Sequence, residues 1–155
     1  MVIAVGGSQE VLNARPGSYR VVLKNRKGFI KLAITTGASI VPVFSFGEND
    51  IYNQPNYKPG SKALKFQEWF KKATGTSLPL INGRGFFQYS FGIIPKRHPI
   101  TTVVGSPIVV VKNDKPTTKE IEDLHNIFIC KLKKLFNEHK KSYVKNFKNI
   151  ELIIE

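Results

Sequence analysis

Apolar residues along this chain fall in short blocks separated by glycine, proline and charge. Val2-Ile3-Ala4-Val5 is a continuous apolar run that ends in Gly6-Gly7, the pattern of a strand buried on both faces. Tyr19-Arg20-Val21-Val22-Leu23 predicts the next strand. Asn25 is then placed to cap a helix in which Phe29, Leu32 and Ala33 share one face, with Gly37 closing it in the left-handed conformation. Ile40-Val41-Pro42-Val43-Phe44-Ser45-Phe46 predicts another buried strand, with Pro42 near its start or at a bulge. Strand, helix and strand at this spacing predict a βαβ unit and hence a parallel sheet.

The polar stretch from Gly47 to Gly60 is a connection. Helical period returns from Ser61 to Ala73, with Ala63, Phe66, Trp69, Phe70 and Ala73 on one side and Lys65, Glu68, Lys71 and Lys72 on the other. A second loop, Gly75 to Gly85, leads to Phe86-Phe87-Gln88-Tyr89-Ser90-Phe91. The β-branched runs Thr101-Thr102-Val103-Val104-Gly105 and Ile108-Val109-Val110-Val111 predict strands, or one strand interrupted at Pro107. A long final helix follows. Thr117 and Glu120 have capping-box spacing, and Ile121, Leu124, Phe128, Leu132, Leu135 and Phe136 form its apolar stripe.

With 155 residues, 41% hydrophobic and 23% charged, the composition is that of one ordered globular unit, and neither a repeat nor a second domain boundary is visible. The lone Cys130 excludes an internal disulfide and suggests a reducing compartment; a small core residue is its simplest reading. No apolar run approaches the roughly 18 residues of a membrane span, and Met1 to Val5 lacks the basic start and apolar length of a secretory leader. Lys and Arg number 24 against 11 Asp and Glu, a formal charge of +13. That balance excludes polycationic partners and admits nucleic acid, an acidic substrate or an anionic membrane face.

Residues with obvious chemistry are few. Gly6-Gly7 after a strand can cradle an anion or a substrate oxygen, or simply make a tight strand exit, and it has neither Walker nor dinucleotide spacing. Glu10 stands where open α/β sheets place ligands, with an exposed helix-start carboxylate as the alternative. His98, His125 and His139 show no metal-ligand pairing and no nucleophile motif, and spacing alone assembles no triad or acid/base pair. The aromatic, lysine-flanked helix from Ser61 to Ala73 suits a membrane headgroup layer or an ordinary packed face. Lys131, Lys133, Lys134, Lys140, Lys141, Lys145 and Lys148 form a second basic concentration, fit for anionic lipid or merely solvated. No nucleic-acid-binding motif accompanies the charge, so nucleic acid is not expected as a partner.

A family resemblance rests on longer runs. Val5-Gly6-Gly7-Ser8-Gln9-Glu10, Arg15-Pro16-Gly17, Leu23 to Ala33, Gly37-Ala38 and Val41 to Asp50 are similar to the diacylglycerol acyltransferase type 2 and monoacylglycerol acyltransferase family. Gly83-Arg84-Gly85, Gln88-Tyr89-Ser90-Phe91-Gly92, Ile94-Pro95 and Pro99 to Gly105 continue the likeness in order, and Phe87 to Gly92 most resembles the monoacylglycerol branch. The resemblance implies an acyl-CoA-dependent O-acyltransferase that makes neutral glycerolipids on the cytosolic face of the endoplasmic reticulum membrane. It implies an α/β, glycerolipid acyltransferase-like fold: here a partial parallel-sheet domain, residues 1–155, corresponding to the C-terminal half and ending in a long helix.

In that family a His-Pro-His-Gly motif upstream of the Gly-Gly-x-x-Glu block supplies the general base, because a neutral alcohol attacks a thioester poorly until it loses its proton. This sequence has no such motif, and His98-Pro99 stands in the wrong place to replace it. The chain is therefore expected to lack the catalytic base and the membrane segments. Asn82 stands where the family often has histidine, and it cannot take a proton near neutral pH. By resemblance, Gly6, Gly7 and Glu10 shape the acceptor pocket, Arg26, Lys27 and Arg84 meet CoA phosphates or make structural contacts, and Glu48, Asn49 and Asp50 organise the site. No bound cofactor is expected, with acyl-CoA as co-substrate and mono- or diacylglycerol as acceptor. A nonenzymatic membrane-surface or regulatory subunit, pairing with itself or with a full-length enzyme, is the alternative.

Overall fold

The computed structural model describes residues 1–7, 10, 14–53, 60–74, 82–89, 92–144 and 147–155, apart from the side chains of Ala63, Glu68 and Lys71. Ser8, Gln9, Ser90, Phe91, Lys145 and the connection over residues 75–81 lie outside that description. The elements in order are β1 (Tyr19–Val21), α1 (Gly28–Thr36), β2 (Val43–Phe46), α2 (Lys62–Thr74), β3 (Thr101–Val104), α3 (Thr118–Tyr143) and β4 (Leu152–Ile154), with 3-10 turns at Glu48–Asp50 and Phe147–Asn149. The class is mixed α/β, with a small parallel sheet and a long C-terminal helix.

The strand pairing differs from the expected βαβ sheet. β1 pairs in parallel with β4, Tyr19 opposite Leu152 and Val21 opposite Ile154, while β2 pairs antiparallel with β3, Val43 opposite Val104. Each sheet has two described strands, and β1 and β2 do not hydrogen-bond to each other. The edge of β1 is taken by a strand from the chain's far end, and that of β2 by β3. Val2 to Val5 forms no strand: Met1 and Val2 are 99% and 98% exposed, and only Val5 packs against the core. A strand needs partners for its N–H and C=O groups, and none of the described residues supplies them.

Local chemistry sets the helix limits. Helix α1 starts after Lys27 with no side-chain cap, not at Asn25, and ends at Gly37, whose φ is 71°. It buries Ile30, Ala33 and Ile34, with Phe29 partly covered, so its apolar face is rotated from the predicted one and Leu32 is left exposed. Helix α3 begins with the expected capping box: the Thr117 hydroxyl accepts from Glu120 N–H, and the Glu120 carboxylate accepts from Thr117 N–H. Only Thr101–Val104 of the two β-branched runs is a strand; Ile108 makes a single bridge to Ile40, and Val109 and Val111 stand in solvent. Cys130 is exposed and not a core residue, because it falls off the buried stripe of α3.

The core joins α3 to both sheets. Phe128, Leu132, Leu135 and Phe136 of α3 are buried among Tyr19, Leu23, Ile30, Ile34, Phe46 and Val103. Phe136 stacks on Phe46 with ring centroids 5.5 Å apart at 20°, and meets Tyr19 and Phe44 at 5.2 Å each. Aromatic clusters of this geometry contribute beyond their buried area. Lys140 ties the C-terminal segment down: its Nζ donates to Ile150 O at 2.8 Å and lies over the Phe136 ring.

Candidate functional site

Glu10 is the most constrained of the predicted site residues. Its N–H donates to Gly7 O at 3.2 Å, Gly7 having φ 62°. Its side chain folds back over buried Gly6, where any Cβ would overlap the carboxylate. Oε1 accepts a 2.8 Å hydrogen bond from Val22 N–H, just past the end of β1. Burial raises the Glu10 pKa, the Val22 N–H opposes that rise, and the nearby Glu48 carboxylate adds to it.

The chain leaving β2 supplies the second part. Gly47, at φ 89°, turns it into the Glu48–Asp50 3-10 turn. A side chain at Gly47 would overlap the Pro99 carbonyl, so this turn and the segment before β3 approach as closely as backbones allow. Asn49 Nδ2 donates to Ser18 O at 2.8 Å, pinning the turn to the start of β1, while Glu48 is exposed. Asp50 faces His98 with 4.0 Å between Oδ2 and Nε2, beyond hydrogen-bond reach. Asp50 also adds to the raised pKa of Tyr19, whose main cause is burial.

Glu10, Glu48 and Asn49 are thus gathered around β1, Glu10 at its end and Asn49 at its start. The predicted cations are not with them. Arg26 is exposed in the turn before α1, its N–H donating to Leu23 O at 2.9 Å. That turn borders a cavity of about 220 Å³ lined by Lys24, Lys27, Glu122, His125, Asn126 and Ile129. Lys27 already pairs with Glu122 at 2.9 Å there. Arg84 sits in a separate loop, where Nε donates to Pro95 O at 3.1 Å and Nη1 to Gly85 O at 3.4 Å, so loop carbonyls hold its guanidinium. No described contact joins Arg26 or Arg84 to the Glu10 group.

Sequence reasoning passed over two participants. Tyr19 and His98 enter the neighbourhood of Asp50 only through the fold, and neither lies in a motif that would single it out. His125 is 3% exposed and donates from Nε2 to Leu23 O at 3.0 Å, so it ties α3 to the end of β1. Among the described residues no group of His, Cys, Asp or Glu is arranged to hold a metal ion, and no described helix is long and apolar enough to cross a membrane.

The sequence matches the diacylglycerol acyltransferase family over residues 1–155. It is 51% identical over 142 residues to mouse 2-acylglycerol O-acyltransferase 1, a match covering 92% of this chain and 42% of the relative. It is 52% identical over 140 residues to diacylglycerol O-acyltransferase 2 of Dictyostelium discoideum, covering 90% and 42%. With diacylglycerol O-acyltransferase 2B of Umbelopsis ramanniana the identity is 47% over 150 residues, covering 94% and 43%. The chain therefore spans about two-fifths of the length of these curated relatives. No solved structure matches it. The match over residues 1–155, with about half of the residues identical to these relatives, shows that this chain belongs to the diacylglycerol acyltransferase family.

Proposed function

We propose that this chain is the C-terminal part of an acyl-CoA-dependent O-acyltransferase that esterifies mono- or diacylglycerol in triacylglycerol synthesis. One observation carries the reading: about half of the residues are identical, over nine-tenths of the chain, to proteins named as acylglycerol acyltransferases. In this reading residues 1–155 form part of a glycerolipid acyltransferase-like domain, and a histidine outside them deprotonates the acceptor hydroxyl for attack on the thioester carbonyl. Gly6, Gly7 and Glu10 line the acceptor side. Glu48 and Asn49 set the turn beside it, and Arg26 and Arg84 are the cations offered to CoA phosphates. Arg26 is the freer of the two, since Arg84 is committed to Pro95 O and Gly85 O. Acyl-CoA is the co-substrate in this reading, and no bound cofactor is expected.

The same reading places the protein on the cytosolic face of the endoplasmic reticulum membrane, as a homo- or hetero-oligomer with other acyltransferase chains. Helix α2 supports the membrane contact, since Phe66 and Trp69 are 49% and 60% exposed between lysines. Exposed Lys131, Lys133, Lys134 and Lys141 on α3 add to it. Acyl transfer by the purified chain tests where the base lies. With acyl-CoA and monoacylglycerol it is expected to give no turnover, and clear turnover would contradict a base supplied from outside these residues.

A further inference from the structure

We infer that the loop built from residues 82–89 and 92–97 is a lipid-surface anchor, its aromatic tip entering the headgroup layer of a bilayer and its cations meeting anionic lipid phosphates. Four large apolar side chains stand in water there: Phe86 is 79% exposed, Phe87 94%, Tyr89 67% and Ile93 87%. The Phe86 and Phe87 rings meet edge to face at 4.8 Å, so the tip acts as one apolar unit. Clusters of this kind mark contact with a partner or a membrane.

The frame beneath the tip is tied at several points. Arg84 and Ile94 exchange backbone hydrogen bonds of 2.7 and 3.0 Å, Gly83 N–H donates to Gly92 O at 2.8 Å, and Gly85 N–H donates to Gln88 O at 2.8 Å. Gly83 admits no Cβ, because the Ile94 carbonyl occupies that space. The Arg84 guanidinium clasps Pro95 O and Gly85 O and lies 5.8 Å from the Tyr89 ring centroid. The aromatic exposure therefore belongs to a constructed loop.

Charge decides what covers it. Lys96 and Arg97 end the loop, and the sequence contains no Asp or Glu between Glu68 and Asp114. The described acid facing the segment from another element is Asp50, opposite His98. Exposed aromatics bordered by cations without local acids match an anionic lipid interface, where apolar insertion and phosphate attraction add. The inference deepens the membrane contact in the proposed function and rests on it. Its test reads loop insertion separately from overall binding and from turnover, so the two can fail separately.

The test uses the full chain and vesicles of phosphatidylcholine, with and without phosphatidylserine. Phe86→Ser combined with Phe87→Ser is expected to lower partitioning onto both vesicle types by about tenfold or more, as loss of inserted aromatic side chains implies. Lys96→Gln combined with Arg97→Gln is expected to remove only the increment due to phosphatidylserine, and far-UV circular dichroism checks that each variant folds. A direct probe is Phe87→Trp in a Trp69→Phe background, expected to shift its emission to the blue on vesicles and to be quenched by brominated lipid. Unchanged emission, undiminished binding of the serine variant, or a dimer that buries Phe87 without vesicle binding would each overturn the inference. Undiminished binding by that variant would overturn the loop assignment while leaving the membrane contact of the proposed function in place.

Discussion

The Glu10 carboxylate accepts the Val22 backbone N–H at 2.8 Å while lying close enough to Glu48 to feel its charge. A half-buried carboxylate that accepts one backbone donor and feels the charge of a second carboxylate is a costly feature in a chain with few acids.

An unfolded Glu titrates near its ordinary value, whereas folded Glu10 titrates higher. Between those two values the folded state holds the extra proton, so this group's contribution to stability falls as pH rises through that window. Glu10→Gln keeps an oxygen for Val22 and removes the charge. It is expected to remove that slope and to leave stability at neutral pH unchanged or higher. Glu10→Ala leaves Val22 N–H without its acceptor and is expected to cost about 1–2 kcal/mol. Urea denaturation across the acid-to-neutral range reads both, and an unchanged slope in Glu10→Gln would contradict the assignment.

Phe136 is the central test of packing. It is fully buried against Phe46, Tyr19 and Phe44, joining α3 to both sheets. Phe136→Ala is expected to cost about 3–5 kcal/mol, seen as a lowered urea midpoint, whereas Leu32→Ala on the exposed side of α1 is expected to cost about 1 kcal/mol or less.

Gly47→Ala tests the turn that carries Glu48 and Asn49. Its backbone sits at φ 89°, and a methyl group there would strike the Pro99 carbonyl. The expected loss is about 2 kcal/mol or more, with a shift of the Asn49 side-chain amide resonances as its bond to Ser18 O is disturbed. Unchanged stability and resonances would contradict the close approach.

Arg84→Lys separates the structural bonds of that guanidinium from a contact with CoA. Lysine cannot span Pro95 O and Gly85 O together, so hydrogen exchange at the Gly83 and Arg84 amides is expected to quicken by about tenfold. Exchange rates equal to those of the unaltered chain would show that the clamp does not hold the loop.

Much of the secondary structure was legible because its signals are local. The capping box of Thr117 and Glu120, the stripe through Phe128, Leu132 and Phe136, and the Gly37 helix end each depend on a few neighbouring residues. The pairing of β1 with β4 was not legible. Leu152 to Ile154 is three residues long, and its partner lies at the other end of the chain. The Val2 to Val5 run misled because an apolar pattern states a need for burial and supplies no partner strand. At the site, the glycines announced Glu10 and the motif announced Glu48 and Asn49. The approach of His98 to Asp50, and the commitment of Arg84 to its own loop, depend on backbone contacts that no spacing encodes.

The proposed function makes these residues the C-terminal part of an acylglycerol acyltransferase. Joining the chain to the portion of mouse 2-acylglycerol O-acyltransferase 1 that it does not match, and assaying ester formation from acyl-CoA and monoacylglycerol, tests this most directly. Ester is expected from the joined protein and none from either part alone. A joined protein that folds, reaches membranes and forms no ester would contradict it.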